Sequence, residues 1–364
     1  MIKIINVVGA RPNFMKIAPI QREMAKYDNI QPVLVHTGQH YDERMSKLFF
    51  DDLQLPKPDI YLDVRSGSHA VQTAKVMMAF EEVLKQEKPD LVIVVGDVNS
   101  TAACSMVAAK METKIAHVEA GLRSFDRTMP EEINRLVTDV LSDFLFVTEK
   151  SGLENLKREG IDDSKVHFVG HVMIDSLIYF EPMAEKSTVL QDLQLEPQNY
   201  GLITLHRPSN VDHKENFLKL LNAFEHIEKQ IPLIFPIHPR SQKMIDQFGL
   251  RDKVEKMKNL RLLEPLGYLD FMKLLHNAKL VLTDSGGIQE ETTYLGIPCI
   301  TMRENTERPI TVEIGSNVLV GTDTERIIAE AQKVLDGNAK KGQIPELWDG
   351  KAAERIVRIL NEKL

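Results

Sequence analysis

The chain is poor in cysteine. Cys104 and Cys299 are its only two in 364 residues, far apart and outside any CxxC spacing. That excludes a disulfide framework and a cysteine-based zinc site, and it fits a reducing compartment. Long apolar runs are missing too: none approaches the roughly 20 residues that a membrane-spanning helix needs. The start, MIKIINVV, is too short for a signal peptide and lacks its flanks, so the expected location is the cytoplasm. Positive charge is not in excess. With 45 Lys and Arg against 53 Asp and Glu, the net charge is −8. This argues against a broad nucleic-acid-binding face, though not against a local basic cleft. Two phosphate-cradling signatures are absent as well. No GxGxxG follows the first apolar run, and there is no P-loop. A nicotinamide or flavin site is therefore not supported.

The composition that remains, 43% hydrophobic and 27% charged, is that of a soluble globular protein. The length suggests about two domains. Short apolar runs rich in β-branched residues alternate with amphipathic stretches. IKIINVVG, PVLVHTG, DLVIVVGD and KIAHVEAG read as buried strands. Helices are expected near 12–24, with Pro12 at a first helical position and Pro19 as a kink, and over 67–88 and 99–111. Such alternation implies a parallel sheet with right-handed crossovers. The pattern pauses over the polar stretch 179–200, which reads as the region of an interdomain connection. It restarts with YGLITLHRP, PLIFPIHP, NLRLLEPLG, AKLVLTDSGG, IPCITM and NVLVG. The last helix, near 350–363, fits either half.

In open parallel sheets, ligands bind beyond the carboxyl ends of the strands. Those ends hold Gly9-Ala10-Arg11-Pro12, Gln39-His40, Gly96-Asp97 and Glu119-Ala120-Gly121 in the first half. In the second they hold His206-Arg207, His238, Glu264-Pro265 and Asp284-Ser285-Gly286-Gly287. Two such ends facing each other make a cleft. In TDSGGIQEETTYLG, Asp284 or Ser285 is placed to cap a helix. Gly286 and Gly287 let backbone N–H groups approach an anion, and the helix start adds partial positive charge. That suits a diphosphate. Glu290 or Glu291 is placed to accept ribose hydroxyls. An ordinary capped αβ turn explains the same residues. Arg11 and Lys16, in GARPNFMK, stand near a helix start where cations oppose the dipole. A phosphate gives them a reason to be there; a solvated Lys and a paired Arg is the plainer reading. His206 and His238 lack acidic or cysteine partners at metal-ligand spacing. Asp97, Glu119 and Glu131 gather carboxylates near neighbouring strand ends, an arrangement that splits pKa values into an acid and a base. Helix capping and pairing with Arg123 or Arg135 is the alternative for any one of them. The stretch 117–135, HVEAGLRSFDRTMPEEINR, holds most of this charge. Within it Glu132, Arg123, Asp126 and Arg127 read as ordinary solvated or paired residues.

Taken in order, GARPNFMKIAP, TGQH, GDVNST, HVEAGLR, PEEINR, LTDSGGIQEE and RENTERP resemble the non-hydrolysing UDP-N-acetylglucosamine 2-epimerases over nearly the whole chain. The resemblance implies an α/β, GT-B-like fold of two Rossmann-type domains, their parallel sheets facing a central cleft. The domains would be 1–172, joined by a C-terminal helix at 352–364, and 173–351. It implies a homodimer acting on a UDP-sugar in cell-surface polysaccharide synthesis, with no nicotinamide, no metal and no other cofactor, and with no nucleic-acid or membrane partner. Carried over by position, Asp97, Glu119, Glu131 and His206 become catalytic. Arg11, Lys16, Arg135, Phe271, Ser285, Gly286, Gly287, Glu291 and Arg308 become substrate-binding. Gln39, His40, Arg207 and His238 would touch a second, activating UDP-sugar. The sequence departs from the family pattern at Asn13, where Glu is common, and at Ser209 in His206-Arg207-Pro208-Ser209-Asn210. Arg65 is the nearest candidate for an activator-binding arginine.

The implied reaction is chemically coherent. A sugar C2–H is not acidic, so inversion without redox proceeds by expelling UDP from C1 while a base takes the C2 proton. UDP then returns to the glycal as a proton arrives on the other face. Asp97, Glu119 and Glu131 would supply acid and base, each such group typically contributing about 10²–10⁴-fold. The expected substrate is UDP-N-acetylglucosamine, with a diacetamido-uronic acid relative as alternative. A glycosyltransferase of the same architecture, a hydrolysing epimerase and a non-catalytic sensor are the rivals.

Overall fold

The computed structural model describes residues 1–38, 57–65 and 67–364, and of Arg11 only the backbone. The chain forms two compact units, Met1–Tyr179 with Glu346–Leu364, and Phe180–Pro345.

In the first unit the apolar runs become strands β1 (Ile2–Val8), β2 (Ile30–His36), β3 (Ile60–Tyr61), β4 (Leu91–Val95), β5 (Lys114–Ala120), β6 (Phe144–Val147) and β7 (Val166–Phe168). Among the described residues they make one parallel sheet in the order β3-β2-β1-β4-β5-β6-β7. Helices cover the faces, so central strands such as Leu91–Val95 are buried throughout and tolerate no polar alternation. Val76, Phe80 and Leu84 of the helix His69–Glu87 pack on Ile5, Val7, Val92 and Val94. Strand order reverses between β1 and β4, and in open parallel sheets ligands bind beyond the strands' carboxyl ends at such a switch point. The end of the chain completes this unit. Trp348 is buried and its indole N–H donates to Thr148 O at 3.1 Å. Asp175 accepts the backbone N–H groups of Ala352 (3.2 Å) and Ala353 (2.7 Å), capping the helix Ala352–Lys363.

The second unit repeats the plan. Strands β8 (Gly201–Thr204), β9 (Leu233–Pro236), β10 (Leu260–Leu263), β11 (Leu280–Thr283), β12 (Cys299–Thr301) and β13 (Asn317–Leu319) pair in parallel in the order β10-β9-β8-β11-β12-β13. Its switch point lies between β8 and β11. Phe217 and Phe224 of the helix Lys214–Ile227 pack with Ile203, Phe235 and Leu282. The stretch 179–200 holds no strand; it contains the end of the helix Val172–Ala184 and the short helix Val189–Asp192. Both cysteines are buried free thiols. No helix among the described residues is long and apolar enough to cross a membrane.

Candidate active site

In the first unit the site is built at the switch point. Asn13, where the resemblance led one to expect Glu, closes the turn after β1. Its side-chain oxygen accepts Gly9 N (3.1 Å) and Ala10 N (2.9 Å), and its amide donates to Val95 O (3.0 Å). This ties the start of the helix Arg11–Met24 to the end of β4. One turn further along, Lys16 is buried and pairs with Glu119 at 2.5 Å. The phosphate-binding cation expected at Lys16 is thus held here by a carboxylate.

Glu119 itself sits in the left-handed region, at φ +74°, where the register of β5 against β6 shifts between Val118 and Ala120. A bulge of this kind re-aims one side chain. A non-glycine residue in such a conformation costs about 1–3 kcal/mol and persists only when its surroundings over-determine it. Asp97, a quarter exposed, meets the buried Arg135 at 2.6 Å. The carboxylates at the ends of β4 and β5 therefore do not confront each other unscreened, because each has its own cation.

The helix Pro130–Leu141 supplies most of the rest. Glu131, half-buried, lies in its first turn. Glu132 is not solvated, contrary to the sequence reading. It is 2% exposed, pairs with Arg135 at 2.6 Å, and accepts Ser124 N (2.9 Å), Ser124 Oγ (3.0 Å) and Phe125 N (2.9 Å). Asn134 donates to Asp97 O at 2.8 Å. Arg123 is likewise buried, between Asp139 (2.7 Å) and Glu159 (2.6 Å). Arg127 is exposed. His117 and Asp139, absent from the predicted site, lie beneath it, completely buried and 2.6 Å apart. A signal for Asp139 existed: Glu132, Arg135 and Asp139 recur at helical spacing and mark one face as polar where a core face should be apolar.

In the second unit Asp284 is the organiser. Rather than capping the helix Gly286–Leu295, its buried carboxylate gathers the loop after β8. It accepts His206 N (3.0 Å), Arg207 N (2.8 Å) and Asn210 Nδ2 (3.2 Å), and lies 3.1 Å from His206 Nδ1. Burial pushes its pKa up, but the His206 side chain and the two backbone donors outweigh this and hold it below the ordinary carboxylate value. His206 remains 42% exposed, with its ring 5.5 Å from that of His238. His238 is exposed and caps the helix Pro239–Gln247, accepting Arg240 N at 3.1 Å. Ser285 occupies the N-cap of Gly286–Leu295 without a side-chain capping bond. A Cβ on Gly286 would come within 2.8 Å of the Glu307 carboxylate, whereas one on Gly287 would meet nothing within 4 Å. The first glycine is a packing requirement and the second leaves the helix start open.

Arg308 is not at the surface: it forms a buried ion pair with Glu290, which is 1% exposed and so unavailable as a ribose acceptor in this arrangement. Glu307, also buried, meets Arg303 at 2.7 Å and Arg207 at 3.5 Å, and these arginines with Arg308 hold its carboxyl far below its ordinary value despite burial. Glu291 is buried, and Phe271 is half-buried against the core around Tyr200, Leu274 and Ile288. Gln39 and His40 lie outside the described residues. Arg65 is on the surface, paired with Asp63 at 3.3 Å.

Residues 22–361 match the family model described as UDP-N-acetylglucosamine 2-epimerase. The chain belongs to this family of isomerases. It is 46% identical over 365 residues to a UDP-N-acetylglucosamine 2-epimerase of Methanocaldococcus jannaschii, covering 97% of each chain. It is 40% identical to a UDP-2,3-diacetamido-2,3-dideoxy-D-glucuronate 2-epimerase of Pseudomonas aeruginosa, over 98% of this chain and 99% of that one. The structure is similar, at a TM-score of 0.91 and 44% identity, to the M. jannaschii UDP-GlcNAc 2-epimerase in complex with UDP-GlcNAc and UDP, covering 99% of this chain and 100% of that one. The α/β, GT-B-like class expected from the family resemblance is the class of this structure, with two parallel-sheet domains. Epimerase family membership places the strand-end carboxylates in a chemical context that a bare α/β fold does not supply.

Proposed function

We propose that this protein inverts C2 of UDP-N-acetylglucosamine to give UDP-N-acetylmannosamine. A carboxylate takes the C2 proton, the C2–H electron pair becomes the C1=C2 bond, and the C1–O bond breaks to release UDP. In the return step UDP oxygen re-forms the bond to C1 and a proton is delivered to C2 on the opposite face. Asp97, Glu119 and Glu131 provide base and acid. In the first unit Lys16 and Arg135, and in the second the open helix start at Ser285–Gly287 and His206, are the groups suited to anionic substrate oxygens. The observation that carries this reading is the pairing of each strand-end carboxylate with its own buried cation, Glu119 with Lys16 and Asp97 with Arg135. The binding of UDP-GlcNAc and UDP by the M. jannaschii relative supports the substrate. A homodimer in the cytoplasm supplying cell-surface polysaccharide synthesis is part of the same proposal, and sedimentation checks the dimer.

The test is proton NMR in heavy water with the UDP-sugar and no acceptor. A new UDP-sugar carrying deuterium at C2 is expected. Free UDP with N-acetylmannosamine would instead indicate hydrolysis, and no exchange at all would overturn the reading. UDP-2,3-diacetamido-2,3-dideoxy-D-glucuronate is run in parallel because of the P. aeruginosa relative, and faster exchange there moves the substrate assignment. Asp97→Asn and Glu119→Gln are expected to fold and to lose exchange; normal exchange in both removes these residues from the chemistry.

A further inference from the structure

Beneath the carboxylates lies a buried chain of polar groups that the proposed reaction does not use. His117 precedes Glu119 by two positions on β5. Its Nε2 lies 2.9 Å from Gly96 O, and its Nδ1 lies 2.6 Å from Asp139 Oδ1. Asp139 reaches back to the other side of Glu119, its Oδ2 accepting Gly121 N at 3.0 Å and pairing with Arg123 at 2.7 Å. Arg123 continues to Glu159 at 2.8 and 2.6 Å. The anchored atoms are backbone atoms of the two glycines that frame the carboxylates. Gly96 precedes Asp97, and Gly121 follows Glu119 by two. Both are left-handed, at φ +65° and +80°. Glycine has no side chain to fix such a conformation, so the hydrogen bonds to its backbone must do so.

We infer that His117 and Asp139 are positioning residues for the reaction, setting the Gly96-Asp97 turn from one side and the Glu119-Ala120-Gly121 bulge from the other. Gly96 O is an acceptor, so His117 Nε2 donates to it. The inference rests on Asp97 and Glu119 being the reacting carboxylates. It adds that their placement is imposed by this buried chain, and that neither His117 nor Asp139 touches the sugar.

Two isosteric substitutions separate the ends of the ring. In His117→Gln the amide nitrogen reaches the place of Nε2 and keeps a donor for Gly96 O. In His117→Asn it reaches only the place of Nδ1 and leaves that carbonyl without its donor. A misplacement of about 1 Å costs about 10²-fold in rate. His117→Asn is therefore expected to lower kcat about 100-fold at unchanged KM, with His117→Gln restoring most of it. Equal losses in the two variants, or a loss carried by KM, would overturn the inference. A measurement on the unaltered enzyme stands apart from whether the variants fold. With 15N-labelled histidine, the Nε2 of His117 is expected at the shift of a protonated ring nitrogen. An unprotonated Nε2 would overturn the inference. C2 exchange by the unaltered enzyme tests the epimerase reading separately, so failure of one is distinguishable from failure of the other.

Discussion

At the scale of single residues, the pair Lys16–Glu119 shows what a local sequence pattern conveys and what it omits. The sequence placed Lys16 near a helix start and Glu119 at a strand end, and both positions hold. Their partnership was not legible, because it joins residues 103 apart in the chain across β1, β4 and β5. Nor was the left-handed φ of Glu119 legible, since nothing in HVEAGLR announces a bulge at a glutamate. Removing one member of a buried pair strands the other as an uncompensated charge, at a typical cost of about 3–5 kcal/mol. Lys16→Met is expected to lose stability on that scale in urea unfolding, and Lys16→Met with Glu119→Gln to recover part of it. Simple additivity of the two losses would show that the ions do not compensate each other. Gly96 offers a sharper test. Its φ is +65°, and a Cβ there would stand 2.9 Å from Lys16 Nζ. A side chain in left-handed backbone costs about 1–2 kcal/mol. That lysine tip is the one paired with Glu119. Gly96→Ala is therefore expected to lose far more kcat than its modest loss of stability explains, with unfolding and turnover measured on one preparation.

At the scale of elements, the strand–helix alternation made most of both sheets readable. The misses are instructive. The strand β6, FLFV, follows the helix Pro130–Leu141 after only two residues, Ser142 and Asp143, so LVTDVLSDFLFV reads as one apolar run. The strands β3 and β7 span only Ile60–Tyr61 and Val166–Phe168, too short to show a period. The burial of Glu132 is hidden in the sequence because charge beside charge looks solvated, whereas Ser124, Phe125 and Arg135 enclose it. Asp284 shows how one carboxylate joins elements: it stands after β11 and fixes the loop after β8. Its folded pKa is depressed, so its stabilisation is fully present above the unfolded value, about 3.9, and is lost as pH falls through the folded value. The stability gap between the unaltered protein and Asp284→Asn is expected to stay constant from neutral pH down to about pH 4 and to narrow only below it. A gap that closes between pH 7 and 5 would show that Asp284 is not the titrating group.

At the scale of the whole molecule, both ends of the chain belong to one unit, and this shapes how the protein fails. The last helix is amphipathic, and its pattern alone fits either half. In the structure its Ile356, Val357 and Leu360 are buried in the first unit, alongside the helix Arg11–Met24 that carries Asn13 and Lys16. Trp348 and the Asp175 cap fasten the segment from two further directions. Gly170 leaves no room for error there, since a Cβ would collide with the carbonyl of Leu347 at 2.0 Å. A chain ending at Pro345 keeps every candidate site residue yet exposes that apolar surface and leaves the Asp175 carboxylate without its backbone donors. It is expected to be insoluble, or to unfold its first unit well below the melting temperature of the full chain. Trp348→Ala in the full chain is the milder version. Truncating a buried Trp typically costs about 3–5 kcal/mol, so a clear fall in the melting temperature of the first unit is expected while that of the second unit persists. Calorimetry, which follows each transition, separates the two units. If the truncated chain melts like the full one, the C-terminal segment is an appendage, and the burial of Trp348 contributes nothing to holding the helix Arg11–Met24 in place.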